Sequence, residues 1–265
     1  MPERLQLQSS ADDHGLSTPS PRRFYINDDL SDDVRLRHGE SSDAWRLTES
    51  LLALVRRDSA RVVVLTEGEQ ISALVETARH TPFAVTLGIG SAGERVARQV
   101  HARTGWFPEI RRLTIAREED RHGRYRLVTG AAPLATQLAG IDAASLAIVD
   151  DTVFSGLTMR SVLLALAPSV RARAHAFCLR AVAETLAGLE PLCPLSVGIA
   201  APGRILEDVS FINASGLVRR GAIRRADRPA LAFFERQEWM RAWFPGYTDE
   251  VTQLCRQLNV LLEPA

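Results

Sequence analysis

Leu146-Ala147-Ile148-Val149 is a run of four apolar residues that leads directly into Asp150 and Asp151. A strand with no polar face is one covered on both sides, which places it inside a parallel sheet with helices above and below. Two carboxylates at its end mark the carboxyl edge of that sheet, where open α/β folds take their ligands. Comparable runs lie at Arg61–Leu65, Phe83–Leu87 and Ala174–Ala181, with shorter strand-like stretches at 110–116 and 125–128. Between them apolar residues return at helical spacing, as Trp45, Leu47, Leu51, Leu52 and Val55 do over 43–57, where Ser42 or Asp43 would cap. Further helices are expected over about 69–79, 93–103 and 157–166. This alternation predicts an α/β fold with a doubly wound, mostly parallel sheet.

Beyond the acidic pair, Thr152-Val153-Phe154 leads into Ser155-Gly156-Leu157-Thr158 and then a helical pattern. A loop over a helix N-terminus offers backbone N–H groups and the positive end of the helix dipole to an anion. Ser155 and Thr158 add hydroxyl donors, and Gly156 lets the backbone approach phosphate oxygens closely. Asp150 and Asp151 would repel a phosphate. They are suited instead to accept hydrogen bonds from the vicinal hydroxyls of a ribose beside one.

The segment Leu146 to Thr158 resembles the phosphoribosyl-pyrophosphate motif of type I phosphoribosyltransferases: apolar strand, two acids, three variable residues, Ser or Thr, Gly, any residue, Thr. It fits without a gap, and a weaker likeness extends over roughly 60–185. The resemblance implies a magnesium-dependent transfer of the 5-phosphoribosyl group from phosphoribosyl pyrophosphate to an unidentified acceptor, with release of pyrophosphate. It gives Asp150 and Asp151 the ribose side, with Mg2+ held through water, and makes Thr152 to Thr158 substrate-binding. It casts Gly90-Ser91-Ala92-Gly93 as a pyrophosphate loop and 117–124 as a mobile hairpin that closes over the site. Arg117 at its base would be a catalytic contact to pyrophosphate, with Arg121 or Arg124 arriving on closure. Many members carry Lys or Arg in the pyrophosphate loop, and this chain has Ala92. That departure keeps a second reading open, a non-catalytic phosphoribosyl-pyrophosphate sensor or regulator. The family also suggests a homodimer.

Composition narrows the alternatives. The 265 residues carry 32 basic and 32 acidic side chains, a balance that argues against a nucleic-acid or membrane-surface binder. Every basic side chain is Arg, and the absence of Lys excludes Schiff-base and pyridoxal chemistry and a Walker-A phosphate site. Cys178, Cys193 and Cys255 are too few and too scattered for a disulfide framework or a zinc site, so a reducing cytoplasmic setting is expected. Neither a signal peptide nor a membrane span is expected, because no apolar run approaches the needed length.

Residues 1–22 read as a disordered leader, 23–200 as the α/β core, and 201–265 as a C-terminal hood with helices near 229–243 and 247–262. Gly88, Gly90 and Gly93 spell G-x-G-x-x-G, but a dinucleotide site needs an acid at the end of the next strand. Glu109 stands at its start and Arg117 at its far end. The cluster Arg219 to Arg228 reads as a solvated face or as a contact to an anionic acceptor. Trp239, Met240, Trp243 and Phe244 read as packing residues; the resemblance alternatively suggests acceptor-stacking hood aromatics in 203–245, with Phe211, Phe233 and Phe234 available. Glu67-Gly68 reads as a turn, His122 as an exposed loop residue and His175 as a partly buried strand residue.

Overall fold

The computed structural model describes residues 20–77 and 79–263, so most of the expected leader lies outside the described residues. The chain runs β1 (Arg23–Asp28), α1 (Ser31–His38), α2 (Asp43–Val55), β2 (Val62–Thr66), α3 (Glu67–Thr77), β3 (Val85–Ile89), α4 (Gly90–Thr104), β4 (Ile110–Leu113), β5 (Ile115–Glu119) and β6 (Tyr125–Thr129). It continues through α5 (Leu134–Leu138), β7 (Leu146–Val153), α6 (Leu157–Ala165), α7 (Pro168–Arg171), β8 (Ala174–Val182), α8 (Ala183–Leu186), β9 (Leu195–Ala201), β10 (Val209–Asn213) and α9 (Ala214–Val218). Last come β11 (Ile223–Arg225), β12 (Arg228–Leu231), a 3-10 turn at Phe233–Glu235, α10 (Gln237–Trp243) and α11 (Thr248–Leu262).

The expected doubly covered parallel sheet is the central one, with strand order β4-β3-β7-β8-β9 and every neighbouring pair parallel. β7 lies in the middle. Its Leu146 and Ile148 pack on one side with Met159, Val162 and Leu163 of α6. Ala147 and Val149 pack on the other with Ile71 and Leu74 of α3 and Val96, Ala97 and Val100 of α4. All four β7 residues are fully buried, which is why the run has no polar member. Each such Leu, Ile or Val contributes about 1.5–3 kcal/mol through burial. Gly93 brings α4 against β7, because a Cβ there would lie 2.2 Å from the Val149 carbonyl oxygen.

A second parallel sheet, β10-β1-β2, joins the two ends of the chain. Phe24 and Ile26 of β1, Leu51 and Val55 of α2, and Trp243, Phe244, Val251 and Leu258 from the C-terminal helices form one apolar cluster. Trp243 stacks on Phe24 with ring centroids 5.2 Å apart. Residues 23–66, which the sequence places with the core, share sheet and core with the C-terminal segment. The helix expected over 229–243 is instead β12, a 3-10 turn and α10. Pro229 fixes its own φ and lacks an N–H, and the surrounding residues pair with β11. Ser42 does cap α2, its hydroxyl accepting from Trp45 N at 3.1 Å.

Candidate functional site

β7 extends through the acidic pair to Val153, so Asp150 and Asp151 are strand residues. The chain then turns at Gly156, whose φ of +71° is a left-handed conformation that glycine adopts without strain. A Cβ there would also sit 2.8 Å from Thr185 Cγ2. The Thr185 hydroxyl donates to the Phe154 carbonyl at 2.7 Å and ties the loop to α8. Leu157 and Thr158 open α6, whose first N–H groups have no partner within the helix.

Gly90-Ser91-Ala92-Gly93, expected as a loop, is the first turn of α4, entered through Gly90 at φ +61°. A helix N-terminus offers free N–H groups as a loop would. Gly93 is a packing glycine against Val149. Gly88 has the same role, because a Cβ there would lie 2.6 Å from Glu94 Cα. The G-x-G-x-x-G pattern is thus used by helix–sheet packing.

A cavity of about 430 Å³ opens at the carboxyl edge of the central sheet. Gly90, Ser91 and Ala92, every residue from Asp150 to Thr158, and Arg117 all line it, whereas Gly93 does not. Arg121 and Arg124 stay at the hairpin turn outside it, where Arg124 pairs with Asp120 at 3.4 Å. Two lining arginines were not assigned to the site by sequence: Arg112 on β4, and Arg224 on β11, the latter noted only within the basic cluster. No sequence signal marks Arg112, which follows Arg111 in a strand with no motif. Arg112, Arg117 and Arg224 form no side-chain ion pair or hydrogen bond among the described residues. Each leaves its guanidinium available to an anion.

The two carboxyls differ in their surroundings. Asp150 is 8% exposed. Burial, reinforced by the neighbouring Asp151 charge, pushes its carboxyl well above the usual carboxylate range. Burial acts on Asp151 in the same direction, but Arg180, the hydrogen bond shared with Asp150, Arg95 and Asn213 outweigh it and hold that carboxyl below the usual range. Their surroundings thus push the two carboxyls in opposite directions, Asp150 toward its neutral form and Asp151 toward its charged one.

The segment read as a mobile closing loop is the hairpin β5–β6, with its turn at 120–124. Asp120 orders that turn by accepting from the backbone N of His122 at 2.8 Å and of Arg124 at 3.0 Å. The hairpin belongs to a four-stranded sheet, β12-β11-β5-β6, in which Arg225 of β11 registers with Glu119 of β5. Ala226 N donates to the Glu119 carbonyl at 2.9 Å, and Arg236 binds the buried Glu119 carboxylate. The aromatic residues considered for acceptor stacking do other work. Trp243, Phe244, Phe234 and Met240 are buried in the cluster around Phe24, and Trp239 and Phe233 pack against it. Phe211 stacks on Tyr25 at 4.9 Å. Phe154 is the aromatic residue that lines the cavity.

No family model matches the chain, and no curated protein matches it. Among solved structures it is similar to the purine phosphoribosyltransferase from Pyrococcus horikoshii Ot3, with 18% identity over 56% of this chain and 91% of that one, at a TM-score of 0.36. It is similar to a hypothetical protein from Neisseria gonorrhoeae with bound ppGpp, with 19% identity over 54% and 81% of the two chains and a TM-score of 0.39. The xanthine-guanine-hypoxanthine phosphoribosyltransferase of Helicobacter pylori matches with 12% identity over 71% and 92%, at 0.32. At these identities and scores the likeness carries no argument about activity. Similarity to type I phosphoribosyltransferases stands on the Leu146–Thr158 segment and on the parallel α/β core that the chain's own strand order displays.

Proposed function

We propose that the chain binds phosphoribosyl pyrophosphate in this cavity and transfers its 5-phosphoribosyl group to an acceptor, releasing pyrophosphate. One observation carries the reading. A single cavity gathers the acidic strand end, the N-termini of α4 and α6, and three arginines that form no salt bridge among the described residues. In this reading the 155–158 turn holds the 5-phosphate on backbone N–H groups and the hydroxyls of Ser155 and Thr158. Asp150 and Asp151 face the ribose hydroxyls. Gly90, Ser91 and Ala92, with Arg112, Arg117 and Arg224, hold the pyrophosphate; the arginines of neighbouring strands supply the charge that Ala92 does not.

In the reaction the bond from the anomeric carbon to the pyrophosphate oxygen breaks as the bond to the acceptor forms, with inversion. Aligning the reactants and stabilising the departing negative charge are the tasks left to the protein. Magnesium, carried on the pyrophosphate, would neutralise part of that charge. The donor set fits such an ion. Among the described residues no group of three or more His, Cys, Asp or Glu side chains could hold a metal. Two carboxylates at a phosphate cavity match a magnesium ion that arrives with its substrate and keeps several waters.

Titration calorimetry with phosphoribosyl pyrophosphate and magnesium tests donor binding. Replacing both Asp150 and Asp151 by Asn should weaken it by about 10- to 100-fold, the loss of one charge-assisted hydrogen bond or more. Affinity unchanged in that double variant would sink the site assignment. The pinned β5–β6 hairpin favours a second reading, a protein that binds the donor without turning it over. Pyrophosphate release across a panel of bases, amines and phenols separates the two. A homodimer in a reducing cytoplasm completes the proposal, and sedimentation would establish the dimer. The three cysteines are free and buried, in keeping with such a setting.

A further inference from the structure

Arg180 on β8 is the largest fully buried side chain among the described residues, only 1% exposed. A buried guanidinium is tolerated when it is paired and hydrogen-bonded, and its partners here come from three elements. Nη1 donates to Gln70 Oε1 of α3 at 2.9 Å, while Nη2 donates to Asp151 Oδ2 of β7 at 3.2 Å and to Asn213 Oδ1 of β10. Amides close a ring around it. Gln70 Nε2 donates to Asn27 Oδ1 at 2.6 Å, Asn27 Nδ2 to Asn213 Oδ1 at 3.3 Å, and Asn213 Nδ2 to Asp151 Oδ2 at 3.5 Å. Asn27 and Asn213 lie at the carboxyl ends of β1 and β10. The second sheet thus reaches the acidic pair through side chains alone.

If the network served only to join two sheets, apolar side chains of similar volume would do so with less desolvation. What the guanidinium adds is a fork with a fixed direction, aimed at one carboxylate. We infer that Arg180 is a positioning residue: with Asn213 it fixes the Asp151 carboxylate in the orientation from which it accepts the donor's ribose hydroxyls. Gln70 and Asn27 tie that orientation to the second sheet. The ribose half of this inference rests on the donor-binding reading above, whereas the contact itself is measurable without a ligand.

The groups facing Asp151 are Arg180 from β8, Asn213 from β10, Arg95 from α4 and Asp150 on its own strand, with Arg117 of β5 facing Asp150. Arg180 leads those that favour its charged form. Carbon NMR of labelled aspartates at one neutral pH, assigned with D151N, reports the Asp151 carboxyl resonance, and calorimetry at the same pH reports affinity for phosphoribosyl pyrophosphate with magnesium. Arg180→Gln should displace that resonance and weaken donor affinity about tenfold, the loss of one charge-assisted contact. Arg180→Lys, which restores charge without the fork, should recover part of both effects.

Should Arg180→Gln fail to fold, Asn213→Ala removes one bond to the same guanidinium and should give a smaller shift in the same direction. An unmoved Asp151 in a folded variant that still binds donor like the unaltered chain would overturn this inference alone. A moved Asp151 with unchanged donor affinity would overturn it as well. No donor binding by the unaltered chain would instead overturn the donor reading, and the ribose role with it, even where the Asp151 shift survives.

Discussion

His80 and His175 lie with ring centroids 4.6 Å apart, at the end of the central sheet opposite the cavity. Ser196 Oγ is 2.9 Å from His175 Nε2 and 3.4 Å from His80 Nε2. Burial, with His80 as a further repulsive neighbour, lowers the His175 imidazole from 6.5 to about 4. Above pH 6.5 folded and unfolded chains both carry it neutral, so it does not affect stability there. Between 6.5 and about 4 the unfolded chain takes up a proton that the folded chain refuses, and stability falls as pH falls. The imidazole is partly exposed, so a loss of about 1–2 kcal/mol is expected instead of the full value of the shift. Denaturant unfolding at several pH values checks this, and His175→Phe should flatten the acid limb relative to the unaltered chain. Gly93→Ala makes a second residue-scale prediction. Its Cβ cannot share space with the Val149 carbonyl. A cost of about 1–3 kcal/mol is expected, together with weaker donor binding as the α4 N-terminus moves. At this scale the sequence exposes chemistry better than packing. The Asp150–Thr158 residues are visible because the motif they resemble needs those types in that order, whereas Gly93 in a glycine-rich stretch does not declare whether it meets a ligand or a carbonyl.

Among the elements, the β5–β6 hairpin shows what one ion pair can fix. Glu119 is 5% exposed, and Arg236 is the side chain that neutralises it. Arg236→Met would leave a buried carboxylate without its partner, at a cost of about 2–4 kcal/mol. The loss should be local, read as faster amide exchange at 120–124 with little change in the central sheet. Unchanged exchange there would mean that β11 alone pins the hairpin. Strands such as β7 and β8 are legible in sequence because burial on both faces demands uninterrupted apolar residues. β1, β9 and β10 are not. Phe24 and Ile26 stand in a short stretch between Arg23 and Asn27-Asp28, with no continuous apolar run long enough to mark a strand, and β9 carries Gly198 amid small residues. The pairing of β11 with β5 joins Arg225 to Glu119 across more than a hundred residues, and nothing local announces it.

For the molecule as a whole, the decisive contact is the one between its two ends. Phe24 and Ile26 of β1 are completely buried in a cluster to which α2 contributes Leu51 and Val55 and the segment from Ile212 to Leu258 contributes most of the rest of the cover. A chain cut after residue 204 would therefore expose β1, α2 and the Phe24 face. It is expected to aggregate or bind a hydrophobic dye, whereas an independently folding core would remain soluble with native-like circular dichroism. A sequence is read from one end to the other, so the boundary near 200 appears in composition while the partnership of 23–66 with 209–262 does not. Arg224 escapes for the same reason, since only the folded chain carries it across to β7's end.

The stitched hairpin has a kinetic consequence. Walls that β11 and Arg236 already hold in place need little ordering when a ligand arrives, so the entropy lost on binding should be small. Entry should then be governed by encounter, with the cavity-lining guanidinia of Arg112, Arg117 and Arg224 drawing a polyanion in. The association rate of phosphoribosyl pyrophosphate, measured by stopped flow, should fall steeply as salt rises, while its dissociation rate changes little.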